Sequence, residues 1–460
     1  MVHIGGPRGR AGRRALSWAW PLLAVLACGE GATEPEPDDR KPVVTNPCEE
    51  FPRWLAAEPR VIDPSSTGDV TLSAVFAACV PDLSLVRAGS RTPFDSVAGT
   101  TAFLDVATQT FLAGHDPSDP HTFLGFIESR SYRLNGHFNV RTGDMPDVAV
   151  AEVAPDAQRS PHVLNLRTSE PYGGDPAPVL ERLYELMGDD YEFVAVVSDA
   201  SAFLNRSFWP LRNAVEGLGL DAFDRPAWWD GPTFPVGARL EGALSFPIGS
   251  LFDLGSPALL HELGHRWINF LGGPAALQSG QPHWPISDLA DGIMSYSLPG
   301  GVGASPVWRL VPVEGGGTDL RLECSGSREF VYRDLELYLM GLVPPEEVEP
   351  HVVFTDQEQP TSCNSLWSGP TATVTVEDVI EANGARVPAF GDAPTSFRIA
   401  TVVVSAGRLL APHEMAFYDH MAARGSATTP LRYSSGFEAG TVNPFWLATG
   451  GRATLETRLR

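Results

Sequence analysis

Residues 257–271 read PALLHELGHRWINFL and contain the pattern His-Glu-x-x-His. If this stretch is helical, His261 and His265 are one turn apart and present both imidazoles on one face. A catalytic zinc ion usually takes three protein ligands and keeps one position for water. A carboxylate beside the metal then collects the water's proton and passes it to the leaving group. The pattern therefore predicts two zinc ligands, with Glu262 as the general base.

The neighbouring residues predict a helix of about four turns. Ser256 is a suitable N-cap, Pro257 suits the first helical position, and the Gly-Gly-Pro sequence at 272–274 supplies a stop. The apolar side chains are expected on a face pointing away from the histidines, which leaves the histidine face to line a cleft. They are Leu259, Leu260, Leu263, Trp267, Phe270 and Leu271.

The residues before this helix predict the secondary structure that precedes it and supports it. Residues 176–190 have helical periodicity, 191–200 read as a buried strand, and 238–252 have extended character. This order of helix, strand, strand and metal-binding helix is typical of the N-terminal half of a zinc peptidase. In such enzymes an edge strand pairs with the substrate backbone.

HELGH is followed at 292–296 by GIMSY, and together they resemble the metzincin clan of zinc endopeptidases, in which a methionine-bearing turn lies beneath the metal. The IMSY segment is similar to the astacin-like version of that turn. The resemblance implies a zincin-like catalytic domain in which Met294 underlies the site and Tyr296 stabilises the oxyanion. The stretches HELGHRW, HW and LELYLMGL also resemble predicted secreted metallopeptidases of Gram-negative bacteria, over residues 240–420.

The chain departs from the metzincin pattern after the second histidine. That pattern needs a glycine and then another ligand at positions that are Ile268 and Leu271 here, so the third ligand must come from elsewhere. His283 is predicted because it is the nearest histidine, follows the Gly-Gly-Pro stop and precedes the IMSY turn. The alternatives are carboxylates: Glu336, on a short helix that would pack beside the first as in gluzincins, and Asp288 and Asp291.

The N-terminal residues predict export. A basic segment, an apolar run too short to span a bilayer and the sequence VLAC resemble a bacterial lipoprotein signal of residues 1–27, with Cys28 as the lipidated residue. The alternative is an ordinary secretory signal cleaved near Ala27 or Ala32. Residues 28–47, rich in proline and acidic side chains, predict a flexible tether. We expect an exported protein, anchored on the periplasmic or cell-surface side of a bacterial membrane or released from it.

The length, hydrophobic content and net charge of the chain limit which folds and partners are possible. A chain of 460 residues with 43% hydrophobic content can bury a large core and would normally form about two or three domains. The net charge of −23 argues against nucleic acid or an anionic membrane surface as a partner. We predict an α+β protein and a monomer. Its regions would be a β-rich N-terminal part at 48–165, a catalytic domain at 166–345 and an α+β C-terminal portion at 346–460.

Two smaller predictions concern the cysteines and the C-terminal portion. Four cysteines besides Cys28 are an even number for an oxidising compartment, and proximity favours Cys48 with Cys79 and Cys324 with Cys363 among three possible pairings. In the C-terminal portion, the segments TATVTVEDV and FRIATVVVS read as strands, and 411–423 reads as a helix.

The sequence thus predicts a lipid-anchored zinc endopeptidase that acts on protein or peptide substrates. Zn²⁺ would be held by His261, His265 and His283, with Glu262 moving the proton. Two other functions stay open. A zinc amidase acting on cell-wall peptides would use the same site, and a surface lipoprotein could retain an inactive form of the motif.

Overall fold

The structure of the protein is a computed structural model. It describes residues 146–199, 206–224, 238–246, 258–268, 270–278, 283–294, 331–355, 370–435 and 438–460, together with the backbone of individual strands elsewhere.

Strands dominate the region between residues 54 and 140. Four of them, together with a short strand at Ser201–Ala202, form an antiparallel five-stranded sheet. The nine strands described in this region are Trp54–Glu58, Val61–Ile62, Val70–Phe76, Ser84–Val86, Gly99–Phe103, Val106–Ala113, Phe123–Glu128, Arg133–His137 and Asn139–Val140. The region boundary at residue 165 stays a sequence prediction.

A mixed sheet of eight strands forms the centre of the rest of the molecule. In chain order its strands are β1 (Ala151–Ala154), β2 (Ala157–Arg159), β3 (Val163–Thr168), β4 (Phe193–Ser198), β5 (Ser207–Pro210), β6 (Gly242–Phe246), β7 (Ser396–Ala406) and β8 (Thr454–Glu456). The spatial order is β1-β2-β3-β7-β4-β6-β5, and β8 pairs with β7. Strands β3, β7, β4 and β6 are parallel, whereas β5 runs antiparallel to β6 at one edge.

Seven helices are described: α1 (Ala177–Met187), α2 (Ala258–Gly264), α3 (Ala275–Gln278), α4 (Asp334–Met340), α5 (Val376–Asn383), α6 (Pro412–Ala423) and α7 (Phe445–Ala448). Short 3-10 helices lie at Asp288–Asp291, Pro345–Glu347 and Arg424–Ser426. Helices and a mixed sheet together are consistent with the α+β class. None of the helices in the described part of the chain is long and apolar enough to cross a membrane.

The remaining strands form small two- and three-stranded sheets outside the central one. They are Arg212–Asn213, Phe223–Asp224, Trp308–Pro312, Leu320–Cys324, His351–Phe354, Leu366–Trp367, Thr371–Val374, Leu431–Ser435 and Glu438–Val442.

The two faces of the central sheet bury different helices. Because successive side chains of a strand point to opposite faces, Phe193 and Val197 of β4 pack in the core that contains α2, whereas Val194 packs in the core that contains α1. All six residues of β4 are buried, as expected of a central parallel strand. Helix α2 follows β6 in the chain and packs against both β5 and β6, so the HELGH segment lies beside the antiparallel edge of the sheet.

Strand β7 comes from the region predicted as a separate C-terminal portion, yet it lies between β3 and β4 in the middle of the sheet. The strand at 396–406 and the helix at Pro412–Ala423 confirm two of the C-terminal predictions. The strand predicted over TATVTVEDV is wrong in its second half, because Thr375 caps the helix α5 and accepts a hydrogen bond from the backbone N–H of Asp378.

The predicted four-turn helix at 257–271 is also wrong in length, since α2 ends at Gly264. Beyond it, the backbone N–H of Arg266 bonds to the Leu263 carbonyl at 3.1 Å, a tighter three-residue turn. Glycine favours this break because of its low helix propensity. The Arg266 side chain forms an ion pair with Glu241, with 2.6 Å between Nε and Oε2, and donates a hydrogen bond to Asn213.

All seven residues of α2 are buried, including His261 and Glu262. Several other predictions lie outside the described residues: the signal, the tether, the caps Ser256 and Pro257, Tyr296, and the side chains of all the cysteines.

Candidate metal centre

Three histidines from two segments meet in the interior. His261 lies on α2, His265 directly follows it, and His283 lies between α3 and the 3-10 helix at 288–291. Their side chains can each offer a nitrogen, and these three atoms lie within 4.8 Å of one another. The Nε2 atoms of His261 and His283 are 3.0 Å apart. Within the described residues, this is the one group of histidine, cysteine and acidic side chains that could hold a metal ion.

A backbone carbonyl determines which nitrogen of His261 can bind a metal. The Nδ1 atom lies 2.9 Å from the carbonyl oxygen of Ile293, which can only accept a hydrogen bond. In the neutral ring Nδ1 therefore carries the proton, and Nε2, which faces His283, is the unprotonated nitrogen. This arrangement is the one by which proteins orient metal-binding imidazoles.

The spacing of the ligand atoms fits a metal ion. Two nitrogens bound at about 2.0–2.1 Å in a tetrahedral zinc site would lie about 3.3 Å apart, close to the 3.0 Å between His261 and His283. A second sign is Glu262 Oε2, which is buried and has no hydrogen-bond partner among the described residues. Buried carboxylate oxygens are normally paired, so this one is suited to a water molecule at the metal.

The three rings are neutral at ordinary pH, which is the form that binds metals. Burial lowers the pKa of His261 and His265 well below the usual 6.5, and the charges of the other histidines and of Arg206 add to this effect. Burial and the Arg206 charge also lower the pKa of His283, to about 4.

Glu262 lies beside this group and is paired with an arginine that the sequence did not single out. The carboxylate is fully buried, and its Oε1 accepts a hydrogen bond from Nε of Arg206 at 3.1 Å. Burial raises the pKa of Glu262 to about 7, although the positive charge of Arg206 lowers it. A carboxyl group with a pKa near neutrality is suited to taking up and releasing a proton.

Met294 packs directly against the segment that carries the histidines. It is fully buried in a turn, and its sulfur occupies the space that a side chain at Gly264 would need. Tyr332 supports the same helix by donating a hydrogen bond to the Leu260 carbonyl at 2.5 Å. The turn that contains Ile293 and Met294 thus both orients His261 and fills the space under α2.

This close packing predicts the effect of Gly264→Ala. The new methyl group would overlap the Met294 sulfur and lie 3.2 Å from a ring carbon of Tyr332. Overpacking should outweigh the gain in helix propensity and destabilise the fold by about 1–2 kcal/mol, with weaker metal binding. Chemical denaturation measures the first effect and metal titration the second.

Gly173→Ala is the matched control, because a methyl group there meets nothing within 4 Å. Its stability should stay within about 0.5 kcal/mol of the wild type. The added change Met294→Ala should recover part of the metal affinity of Gly264→Ala. Unaltered stability and metal binding in Gly264→Ala would show that Met294 does not constrain the helix.

The carboxylate alternatives for the third ligand lie elsewhere. Glu336 is fully buried on α4, where Oε1 accepts from the Trp284 indole at 2.7 Å and Oε2 accepts from the Arg333 backbone N–H at 2.7 Å. Burial raises the pKa of Glu336 to about 7, although these two hydrogen bonds lower it. Because Trp284 follows His283, Glu336 fixes the neighbour of a histidine and is not part of the group. The side chain of Asp291 lies outside the described residues.

Asp288 belongs to a second group, centred on His351. Its Oδ1 lies 3.1 Å from Nδ1 of His351, and Oδ1 of Asp334 lies 3.0 Å from Nε2. Burial lowers the pKa of His351, but the two carboxylates outweigh it and raise the pKa to about 9. The protonated ring therefore joins the segment after His283 to α4.

This ion-paired histidine predicts a pH dependence of stability. The pKa of His351 is about 9 in the fold and about 6.5 in the unfolded chain. Its contribution is fully present below pH 6.5 and is lost as the pH rises through 9, up to about 3 kcal/mol. Urea denaturation at pH 6 and pH 10 should show this loss in the wild type. This loss of stability between pH 6 and pH 10 should be absent in His351→Gln and preserved in His162→Gln. An equal loss in His351→Gln would contradict the role given to the His351 ion pairs.

The chain matches no family model, no curated protein and no solved structure. The site is therefore interpreted from its own geometry. Sequence reasoning named the three histidines and Glu262 but missed two of their contacts, Arg206 and the carbonyl of Ile293. It also missed the hydrogen bond from Trp284, the neighbour of His283, to Glu336. Arg206 lies 56 residues before Glu262 and carries no local signal that could have found it.

Proposed function

We propose that this protein is a zinc-dependent hydrolase that cleaves peptide bonds, with His261, His265 and His283 as metal ligands and Glu262 as the proton carrier. The observation that carries the proposal is the buried histidine group, whose ligand atoms lie within 4.8 Å of one another beside an unpartnered oxygen of Glu262. Three neutral imidazoles suit zinc, whereas magnesium and calcium prefer oxygen ligands.

The chemistry follows from these groups. A bound zinc ion would lower the pKa of a water molecule and polarise the carbonyl of the bond to be cleaved. Glu262 takes a proton from the attacking water through Oε2, and the water oxygen forms a bond to the carbonyl carbon. The carbon–nitrogen bond then breaks, and Glu262 gives its proton to the leaving nitrogen. The pKa of Glu262 near 7 suits both steps, and its burial keeps the proton from bulk water.

The sheet edge supports a peptide as the substrate. Strand β5 ends the central sheet on this side, runs antiparallel to β6, and packs beside α2. An extended peptide can add to such an edge through backbone hydrogen bonds, which would bring it next to the histidines. This antiparallel edge, beside a helix that carries His261 and is followed directly by His265, also supports a zincin-like fold for the catalytic part.

The proposed location rests on the N-terminal sequence alone. Cys28 would be lipidated after removal of residues 1–27, and residues 28–47 would tether the enzyme to a bacterial membrane. The substrate would then be a protein or peptide in the periplasm or at the cell surface.

The test is to measure metal content and hydrolysis on the same preparation. We expect about one zinc ion per chain, cleavage of casein, loss of cleavage with a chelator, and recovery when zinc is added back. Cleavage of peptidoglycan without cleavage of casein would indicate the amidase instead. Bound zinc without turnover of either substrate would indicate an inactive form, and absence of metal binding would contradict the proposal.

A further inference from the structure

Arg206 is placed between the sheet edge and the histidine group. It directly precedes β5, and its Nε donates to Glu262 Oε1. Glu262 follows His261 on α2, so the guanidinium lies against the helix that carries this proposed ligand.

Most of the hydrogen-bonding capacity of Arg206 is unused. A guanidinium has five N–H groups in a planar fork. In the described part of the chain only the Nε group of Arg206 has a partner, and the pairing with Glu262 is single rather than bidentate. Neither terminal nitrogen is among the buried side-chain atoms of the described residues that have no hydrogen-bond partner, so both keep some exposed surface. They form an edge with two parallel N–H donors that reaches solvent.

The shape of this edge indicates its ligand. Two parallel N–H donors match the two oxygens of a carboxylate, whereas a single oxyanion offers only one oxygen. Glu262 cannot serve both edges, because its Oε1 binds Nε. The described part of the chain therefore leaves the edge for a group brought by the substrate.

We propose that the terminal nitrogens of Arg206 bind a carboxylate of the substrate, so that the enzyme prefers peptides with a carboxylate on the first residue of the leaving fragment. This proposal rests on the proposed function and names its substrate class. Glu262 delivers the proton to the leaving nitrogen, and Arg206 holds the same carboxylate. The carboxylate of the substrate is the α-carboxylate of a C-terminal residue, or an aspartate or glutamate side chain.

Two pairs of substrates distinguish an α-carboxylate from a side-chain carboxylate as the group that binds Arg206. The first pair is an N-acylated dipeptide with a free C-terminal carboxylate and its C-terminal amide. The second is a longer, amidated peptide with aspartate or asparagine as the first leaving residue. Each is assayed with zinc-loaded wild type, Arg206→Gln and Arg212→Gln. Arg212 is a matched control, because it follows β5 and pairs with Glu241, at 3.6 Å.

In at least one pair, the wild type should prefer the carboxylate by about 30-fold or more in kcat/KM, the scale of a charged hydrogen bond. Arg206→Gln should reduce that preference at least tenfold, and Arg212→Gln should retain it. A preference that survives in Arg206→Gln would overturn the proposal, as would no preference in the wild type. An equal loss on both members of a pair would show that Arg206 acts only through Glu262 or on the oxyanion, and would also overturn it.

A binding measurement separates this proposal from the proposed function. Calorimetry with 3-phenylpropanoate and 3-phenylpropanamide compares an acid with its amide, before and after zinc is added. The acid should lose at least tenfold in affinity relative to the amide when Arg206 is replaced by glutamine. Direct binding of the acid to zinc is common to both proteins and cancels in this comparison. Such a loss in a protein without turnover would support the carboxylate site while contradicting the peptidase. An unchanged ratio would overturn the site whether or not the protein is a hydrolase.

Discussion

His283→Ala should lose zinc and hydrolysis together. The remaining histidines, His261 and His265, would give only two ligands, which bind zinc weakly and leave its geometry undefined. We expect zinc affinity to fall by at least about a thousandfold, well beyond the roughly 10- to 100-fold loss when only a partner of a ligand is removed. Competition with a zinc-binding dye measures the affinity, and casein cleavage at saturating zinc measures the activity.

Two controls make this result specific. Glu336→Gln keeps an oxygen that can accept from Trp284 but removes the carboxylate, so it should retain zinc. His162→Ala removes a histidine that contacts Thr457 outside the group, and it should behave as the wild type. Denaturation of the metal-free proteins shows whether His283→Ala is folded, and His283→Gln offers a less disruptive change. Zinc binding that survives in both His283 variants but fails in Glu336→Gln would move the third ligand to α4.

Glu262→Gln should keep zinc and lose at least about a hundredfold in kcat, the scale of a positioned acid–base group. Glutamine is nearly isosteric and can still accept from Arg206, so the surroundings of the three histidines should change little. It cannot take up the proton of the attacking water. The same dye competition and casein assay distinguish loss of metal from loss of proton transfer.

Glu414→Gln is the matched control for this change. Glu414 is also fully buried and also pairs with an arginine, since Arg408 donates to it at 2.6 Å and 2.8 Å, but it lies outside the histidine group. Its kcat should equal that of the wild type, whatever the cost in stability. If Glu262→Gln loses zinc, its carboxylate binds the metal itself; if it retains full activity, another group moves the proton.

The parts of the site that could be predicted depend on short-range geometry. His261 and His265 are one helical turn apart, so their meeting follows from spacing even though the helix ends at Gly264. His283 was named from its residue type and from its position after a helix stop. The helix α1 was likewise predicted from its helical periodicity, and the strand β4 from its aromatic and β-branched content, because both signals are local.

The contacts that escaped prediction join residues distant in sequence. Arg206 reaches Glu262 only because β5 and β6 pair, and no residue near Arg206 signals that pairing. The position of β7 between β3 and β4 depends on how whole elements pack against one another. The residue pattern within one strand does not encode which strands become its neighbours. The ion pair between Arg266, just beyond the end of α2, and Glu241 is another contact between residues distant in sequence.

The insertion of β7 has a consequence for how the protein is made. A nascent chain that has emerged from the ribosome only as far as residue 395 already contains all three histidines, but β3 and β4 have no strand between them. Parallel pairing across such long sequence separations is slow, because a large loop must be closed before any contact is gained. We therefore expect the histidines to reach their final geometry late, after β7 has been synthesised. Shorter translation intermediates carry the HELGH residues before the central sheet is complete.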